Sequence, residues 1–188
     1  MAAEIGNTAL LVMDVQPGIV QRLPAPDEYL AKVRVGVEVA RARHIPLFFV
    51  VVGFRSGFPE INPRNKSFGA MQSAPPAHMV DPRPVIEPVS GEVVVTKRRV
   101  SAFTGSDLEV LLRSRDIRHL VLAGIATSGV VLSTTREAAD KDFQITILSA
   151  TSGDYAAVTG DTASGFTVVC YNASTAVART IHWCAQAY

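Results

Sequence analysis

The segment ALLVMDVQ, residues 9–16, points to the fold class, because five apolar residues run without interruption into Asp14. A short, uninterrupted apolar run is typical of a parallel strand covered on both faces, whereas a half-exposed strand alternates apolar and polar residues. A second continuous apolar run stands at residues 47–52, and short runs rich in strand-forming residues recur at 93–96, 119–123 and 144–148. We therefore predict an α/β fold, with a parallel sheet covered on both faces by helices.

Helical patterns fill the intervals between these runs. Residues 26–43 carry apolar side chains at helical spacing. Residues 106–109 (SDLE) form a capping-box pattern and predict a helix that ends near Ser114, and residues 128–141 predict another. Weaker patterns predict a last strand at 167–170 and a last helix at 173–187. Because there is no internal repeat and no interior linker, we expect one domain over residues 1–188.

Residues 53–90 form an irregular stretch that holds seven of the eleven prolines (Pro59, Pro63, Pro75, Pro76, Pro82, Pro84 and Pro88). Proline denies a segment regular ladders and helix interiors. A loop of this length within a compact domain is commonly a lid or the wall of a site. A mobile surface excursion is the alternative interpretation.

The composition excludes several classes of protein. Hydrophobic residues make up 48% of the chain, and 18 basic residues against 17 acidic ones leave a net charge of +1, so neither disorder, nucleic-acid binding nor membrane binding is indicated. No apolar stretch approaches the ~20 residues that span a bilayer. The first seven residues contain Glu4 and no basic segment, and the two cysteines, Cys170 and Cys184, form no disulfide framework. We expect a cytoplasmic location.

Three features follow predicted strands directly, at the edge where parallel α/β sheets bind their ligands. They are Asp14, Lys97 and the turn at residues 124–130. Asp14 and Lys97 are expected to lie close together, either as an acid–base pair with a tuned pKa or as a structural ion pair. The turn, rich in small residues, either presents backbone N–H groups to an oxyanion or has Thr127 or Ser128 as an ordinary helix N-cap.

Together these residues resemble a known family. Three blocks are similar, in order and spacing, to the motifs of the isochorismatase-like cysteine hydrolases, which include nicotinamidases and related amidases. They are LVMDVQ (11–16), Thr96-Lys97 with Ser101-Ala102-Phe103, and GIAT (124–127) followed by residues 132–134 and 138–140. The resemblance runs from about residue 8 to residue 149 and fades after Ala150. It implies a three-layer αβα sandwich (Rossmann-like) with a mostly parallel six-stranded sheet, and a homo-oligomer, either a dimer or a tetramer.

The resemblance also implies roles for individual residues. Asp14 and Lys97 match the family's catalytic aspartate and lysine, and a cis peptide bond that shapes the oxyanion hole is expected between Ala126 and Thr127. The nucleophilic cysteine does not carry over, because its position holds Val130, whose isopropyl group forms no acyl-enzyme. The family's thiol mechanism is therefore excluded. True isochorismatases hydrolyse a vinyl ether without a thiol, but have glycine at this position.

Several residues near the predicted strand ends are candidates for substrate binding: Gln16, Phe54, Arg55 and Phe103. Arg55 has the fork geometry that binds a carboxylate, although a surface arginine is the alternative, and core packing is the alternative for the phenylalanines. The metal-binding Asp-x-His motif of nicotinamidase-type members is absent, since the corresponding stretch reads VVGFR (51–55). We predict no metal and no cofactor.

Two functions remain open. The chain is a hydrolase of a small-molecule amide or vinyl ether that uses Asp14 and Lys97, or it is an inactive homologue that binds a small molecule in a binding or regulatory role. A nucleotide-dependent oxidoreductase is excluded, because the first strand runs into DVQPG rather than a glycine-rich fingerprint.

Overall fold

The computed structural model describes residues 7–148, 155–162 and 165–171. Its centre is a sheet of seven strands in the order β3-β2-β1-β4-β5-β6-β7. The first five strands are parallel: β1 (Thr8–Met13), β2 (Leu47–Val52), β3 (Val93–Lys97), β4 (His119–Gly124) and β5 (Gln144–Leu148). The predicted α/β class is confirmed, with β1 at the middle of the parallel part.

The strand count differs from the six that the sequence predicted. An antiparallel pair, β6 (Tyr155–Thr162) and β7 (Gly165–Tyr171), extends the sheet beyond β5. The predicted strand 167–170 lies within β7, whereas β6 was missed, because the alanines, glycine and aspartate of YAAVTGDT have little preference for strands. The predicted helix 173–187 lies outside the described residues.

Five helices accompany the described strands: α1 (Pro17–Val20), α2 (Pro26–Ala42), α3 (Ala77–Val80), α4 (Leu108–Arg113) and α5 (Leu132–Asp140). Helix α2 begins with a proline in its first turn, followed by two acidic residues, Asp27 and Glu28, which suit the positive end of the helix dipole. None of the described helices has the length and apolar run needed to cross a membrane.

Two helix predictions needed correction. Helix α4 is shorter than expected and begins at Leu108. The Ser106 hydroxyl donates a hydrogen bond to the Ala102 carbonyl (2.7 Å) and accepts one from the Leu108 N–H (3.2 Å). Ser106 therefore stabilises a turn before the helix and does not form the predicted capping box. The helix predicted at 128–141 begins as one π-helical turn, Thr127–Val131, before α5 continues it.

The alternating faces of the central strands carry two apolar cores. Leu11 and Met13 of β1 point into the core that contains α4 and α5, whereas Leu10 and Val12 point into the core formed with α2. The α2 side is completed by residues at helical spacing, Val33, Val37 and Ala40. The core beneath α4 and α5 contains Leu108, Leu112, Val130, Val131 and Ala138.

The proline-rich stretch 53–90 packs against the strand ends rather than standing away from them. It builds a third apolar cluster from Phe54, Ile61, Phe68 and Met79, together with Val52 of β2. Backbone hydrogen bonds dock its far end, from Phe54 N–H to the Met79 carbonyl (3.1 Å) and from Val85 N–H to the Val15 carbonyl (2.8 Å). This packing favours the interpretation as a site wall over a surface excursion.

Candidate active site

Asp14 occupies the point at which β1 ends. Its N–H donates to the Val50 carbonyl (2.8 Å), and its φ of 57° places it in the left-handed region, which aspartate tolerates better than most residues. The chain therefore turns sharply after Met13. The carboxylate points into a buried space, where its Oδ2 lies 3.0 Å from the Lys97 Nζ. The predicted proximity of the two side chains is confirmed.

Lys97 is almost completely buried, and its ammonium group is fully engaged. Besides Asp14, its Nζ donates to the carbonyls of Arg99 and Val100, each at 3.0 Å. An ammonium group has three N–H bonds, so these three acceptors use all of them. Lys97 therefore orients Asp14 and has no proton left for another ligand.

The second carboxylate oxygen of Asp14 differs from the first. Oδ1 is buried and has no hydrogen-bond partner among the described residues. A buried, unpartnered carboxylate oxygen is costly, and such groups are rare in folded proteins. Oδ1 is therefore the atom at this site with free capacity to accept or donate a proton.

Burial controls the electrostatics of the pair. It raises the pKa of the Asp14 carboxyl from 3.8 to about 6, although the positive charge and hydrogen bond of Lys97 act in the opposite direction. Burial likewise lowers the pKa of Lys97, with Asp14 as the opposing influence. A carboxyl group that titrates near pH 6 exchanges protons readily at neutral pH, as general acid–base catalysis requires.

Tyr29 is a residue near this site that the sequence did not identify as functional. Burial and the negative charge of Asp14 together raise the pKa of its hydroxyl group. The helical spacing of α2 correctly indicated that Tyr29 packs against the core, but no sequence signal indicated that its phenol lies within electrostatic reach of Asp14.

The turn after β4 contains the expected cis peptide bond, but one residue earlier than predicted. It joins Ile125 to Ala126 instead of Ala126 to Thr127. Ile125 is still tied to the end of β1 through its N–H, which donates to the Met13 carbonyl (3.2 Å), so the chain leaves the sheet directly after it. The N-cap position of the π-helical turn is Ala126, without a side-chain cap, so neither Thr127 nor Ser128 has the predicted alternative role of N-cap.

Gly124 allows β4 to approach the end of β1 closely. A Cβ atom at this position would lie 2.6 Å from the Met13 carbonyl oxygen, which is nearer than real Cβ atoms come. Because only glycine fits at position 124, the turn after β4 can lie directly beside Met13, the residue that precedes Asp14.

Val130 lies in the second half of the turn and is only 2% exposed. It belongs to the same apolar core as Met13, Val95 and Ala102. Met13 directly precedes Asp14, Val95 lies two residues before Lys97, and Ala102 is the middle residue of the Ser101–Phe103 motif. An aliphatic side chain thus fills the position where the resemblance would place a thiol.

Two of the predicted substrate-binding residues have other contacts. Gln16 is completely buried and uses its amide group on the backbone of Val52 and His78, so it has none to offer a ligand. Phe103 packs in the core on Phe143, with ring centroids 5.8 Å apart. In both cases the side chain is buried and turns inward.

Phe54 and Arg55 separate at the end of β2. Phe54 packs edge-on against Phe68, with ring centroids 5.2 Å apart, in the third apolar cluster. Arg55 lines an open groove at the β3 edge of the sheet, where its Nη1 pairs with the Glu60 carboxylate at 2.7 Å, and Arg98 and Arg99 bind the same glutamate residue. Neither Asp14 nor Lys97 lines this groove.

Metal ligands are not clustered in the part of the chain that the structure describes: no group of three or more His, Cys, Asp or Glu side chains there is arranged to hold an ion. The absence of a metal and of a cofactor stays a prediction from the sequence.

Known proteins resemble this chain over most of its length. The family model of the isochorismatase domain matches residues 8–174. The isochorismatase family protein YwoC of Bacillus subtilis is 35% identical over 139 residues, which cover 73% of each chain. The N-carbamoylsarcosine amidase of an Arthrobacter species is 31% identical over 148 residues, which cover 74% of this chain but only 54% of the amidase.

A solved structure supports the same relationship. An isochorismatase family protein from Burkholderia thailandensis superposes with a TM-score of 0.62 and 32% sequence identity, covering 77% of this chain and 78% of that one. The likeness therefore extends from the sequence to the fold.

Proposed function

Since the chain belongs to the isochorismatase family, we propose that it hydrolyses a small-molecule amide or vinyl ether, with Asp14 as the proton-transfer group and water as the nucleophile. Relatives in this family are hydrolases, as the name of the N-carbamoylsarcosine amidase states for that protein. The proposal for this chain depends mainly on one observation: the buried Oδ1 of Asp14 has no hydrogen-bond partner among the described residues, and it stands beside the fully engaged ammonium group of Lys97.

The roles of the two residues follow from their contacts. Lys97 fixes Oδ2 and balances the charge of the pair, while Oδ1 exchanges a proton with water or with the substrate. With a pKa of about 6, Asp14 is mostly ionised at pH 7, but about a tenth of the molecules retain the proton. One residue can therefore serve as base or as acid, according to the bond that is cleaved.

Direct attack by water distinguishes this proposal from a thiol mechanism. In amide hydrolysis the Asp14 carboxylate takes a proton from the attacking water and returns it to the leaving nitrogen. In vinyl-ether hydrolysis the protonated carboxyl delivers its proton to the alkene carbon, and water adds to the resulting oxocarbenium carbon while its proton returns to the Asp14 carboxylate. The hemiacetal or hemiketal then loses its ether oxygen as an alcohol and leaves a carbonyl compound. Neither route needs a covalent intermediate with residue 130, which agrees with an aliphatic side chain there.

The direct test compares wild type with Asp14→Asn on a panel of N-carbamoyl compounds, primary amides and vinyl ethers. We expect wild-type turnover, and a loss of about 10²–10⁴-fold in kcat in the variant, which is the usual contribution of a general acid or base. The matched control is Asp116→Asn, because Asp116 is also an aspartate with positive φ but is exposed.

The pH profile then assigns the direction of proton transfer. If Asp14 acts as a base, kcat falls as the pH drops below about 6, and if it acts as an acid, kcat falls as the pH rises above about 6. If wild type and Asp14→Asn are equally inactive on the whole panel while wild type binds one of its members, the hydrolase proposal is wrong and the binding function takes its place.

A further inference from the structure

We propose that Gln16 is a positioning residue, whose side chain replaces a missing strand residue beside Val52 and thereby holds the Asp14 carboxyl group against Lys97. This inference deepens the proposed function and rests on it, but its central test does not require a substrate. Gln16 does not itself contact the reacting atoms.

The need for such a residue arises where β1 ends. In the register of the sheet Met13 pairs with Val50, and the N–H of Asp14 still reaches the Val50 carbonyl. Strand β2 continues for two more residues to Val52, but the positive φ of Asp14 turns the first strand away. The N–H and C=O of Val52 that face β1 would therefore be buried without partners, which proteins avoid.

The Gln16 side chain satisfies both groups. Its Oε1 accepts from the Val52 N–H (2.8 Å), and its Nε2 donates to the Val52 carbonyl (3.1 Å). A primary amide has a second N–H, and here it donates to the His78 carbonyl at 2.8 Å. Three short bonds and complete burial hold Gln16 in one orientation and tie the turn after β1 to β2 and to helix α3.

Val52 links the hydrogen-bonded side chain of Gln16 to Lys97. On its other side Val52 pairs with Lys97 in the parallel register of β2 and β3. Asp14 follows β1 and Lys97 ends β3. These two strands are separated by β2 and lie about 10 Å apart at the usual strand spacing, so the two side chains meet across the end of β2. Gln16 is hydrogen-bonded to Val52, and the Lys97 carbonyl accepts from the N–H of the next residue, Gly53 (3.3 Å). Because both residues are tied to the end of β2, the short segment from Met13 to Gln16 holds Asp14 at 3.0 Å from the ammonium group.

The test uses Gln16→Met, which keeps the length of the side chain and removes all three hydrogen bonds. The matched control is Arg41→Met, because Arg41 also makes three side-chain hydrogen bonds, two to the Glu92 carboxylate and one to the Glu87 carbonyl. Glu92 precedes β3, whereas Lys97 ends it, so the control loosens the opposite end of the same strand.

The primary readout is the titration of Asp14, followed through the chemical shift of its carboxyl carbon by NMR. In Gln16→Met we expect water to reach the loosened turn, so that the pKa of Asp14 moves from about 6 towards 3.8, whereas in Arg41→Met it stays near 6. On a substrate from the panel, kcat should fall by about 10–100-fold in Gln16→Met with a smaller change in KM, because a misplaced catalytic group affects the chemical step.

The outcomes separate this inference from the proposed function. If the pKa of Asp14 moves in Gln16→Met but wild type hydrolyses nothing, Gln16 positions Asp14 and the proposed hydrolysis is wrong. If wild type is active and the pKa of Asp14 is the same in wild type and Gln16→Met, the positioning role is overturned. Should Gln16→Met not fold, hydrogen exchange on wild type decides: the side-chain amide protons of Gln16 must exchange far more slowly than those of exposed Gln21, and equal rates overturn the proposal.

Discussion

Replacing Asp14 with asparagine should change how the stability of the protein depends on pH. Asparagine keeps the shape of the side chain and tolerates the positive φ of this position, but it cannot ionise. In the wild-type protein folding raises the pKa of Asp14 from 3.8 to about 6. This difference corresponds to about 3 kcal/mol, since each pKa unit contributes about 1.4 kcal/mol.

The sign of the effect follows from which state holds the proton. Below pH 3.8 the carboxyl group is protonated in both the folded and the unfolded chain. As the pH rises from about 4 to 6 the unfolded chain releases its proton first, so wild type loses stability while Asp14→Asn does not. Between pH 4 and pH 7 the unfolding free energy of the variant should therefore rise by about 2.4 kcal/mol relative to that of wild type, because part of the full difference is already present at pH 4.

Urea denaturation at pH 4, 5, 6 and 7 measures this difference directly. Asp116→Asn is the control, because Asp116 is exposed and its ion pair with Arg118 contributes at most about 1 kcal/mol at any pH. The reasoning is refuted if the stabilities of wild type and Asp14→Asn run parallel across the range. It is equally refuted if wild type gains stability relative to the variant between pH 4 and 6, because Asp14 would then have a lowered pKa.

Two further predictions concern the turn after β4. Gly124→Ala should lower the unfolding free energy, measured in urea, by about 1–3 kcal/mol, because the new methyl group meets the Met13 carbonyl oxygen at 2.6 Å. In the control Gly36→Ala, within α2, the methyl group has an ordinary van der Waals contact at 3.8 Å, so the unfolding free energy should rise by up to about 1 kcal/mol. Equal effects of the two substitutions would contradict the close approach. Val130→Cys should acquire amidase activity through an acyl-enzyme that mass spectrometry detects, and a folded variant that forms no adduct on the amide panel would show that residue 130 does not face Asp14.

The sheet was largely predictable because its central strands are buried on both faces. Strands β1 and β2 are buried along their whole length and read as continuous apolar runs. The bounds of β2 and β5 agree with the sequence prediction, and those of β1, β3 and β4 differ by one residue. The short length of helix α4 and the presence of strand β6 were not predictable. Local hydrogen bonds of Ser106 shorten α4, and the residues of β6 have a low preference for strands, so neither leaves a periodic signal in the sequence.

At the candidate site, the sequence indicated which residues meet but not which way each side chain points. Asp14 and Lys97 meet because they lie at the carboxyl ends of parallel strands, and parallel strands bring those ends to one edge of the sheet. The inward orientation of Gln16 accompanies the turn at Asp14 and hydrogen bonds to Val52 and His78, which are distant in sequence, and Phe103 packs on Phe143, forty residues later. Contacts of this kind are set by tertiary packing, which local patterns do not record.

A second, half-buried ion pair in the same protein, Arg41–Glu92, shows why Asp14 is better explained by chemistry than by stability. The Glu92 carboxylate has both oxygens bound, Oε1 by Arg41 Nε and Oε2 by Arg41 Nη2 and the Val89 N–H, and the hydrogen bond from Arg41 is the main cause that lowers its pKa. That pair has the contacts expected of a structural ion pair. In the Asp14–Lys97 pair, burial instead raises the pKa of the acid and lowers that of the base, and one oxygen remains without a partner among the described residues. Each of these features opposes folding, and each favours proton transfer, because a poorly solvated carboxyl with a free oxygen is the form in which an aspartate acts as an acid or base near neutral pH.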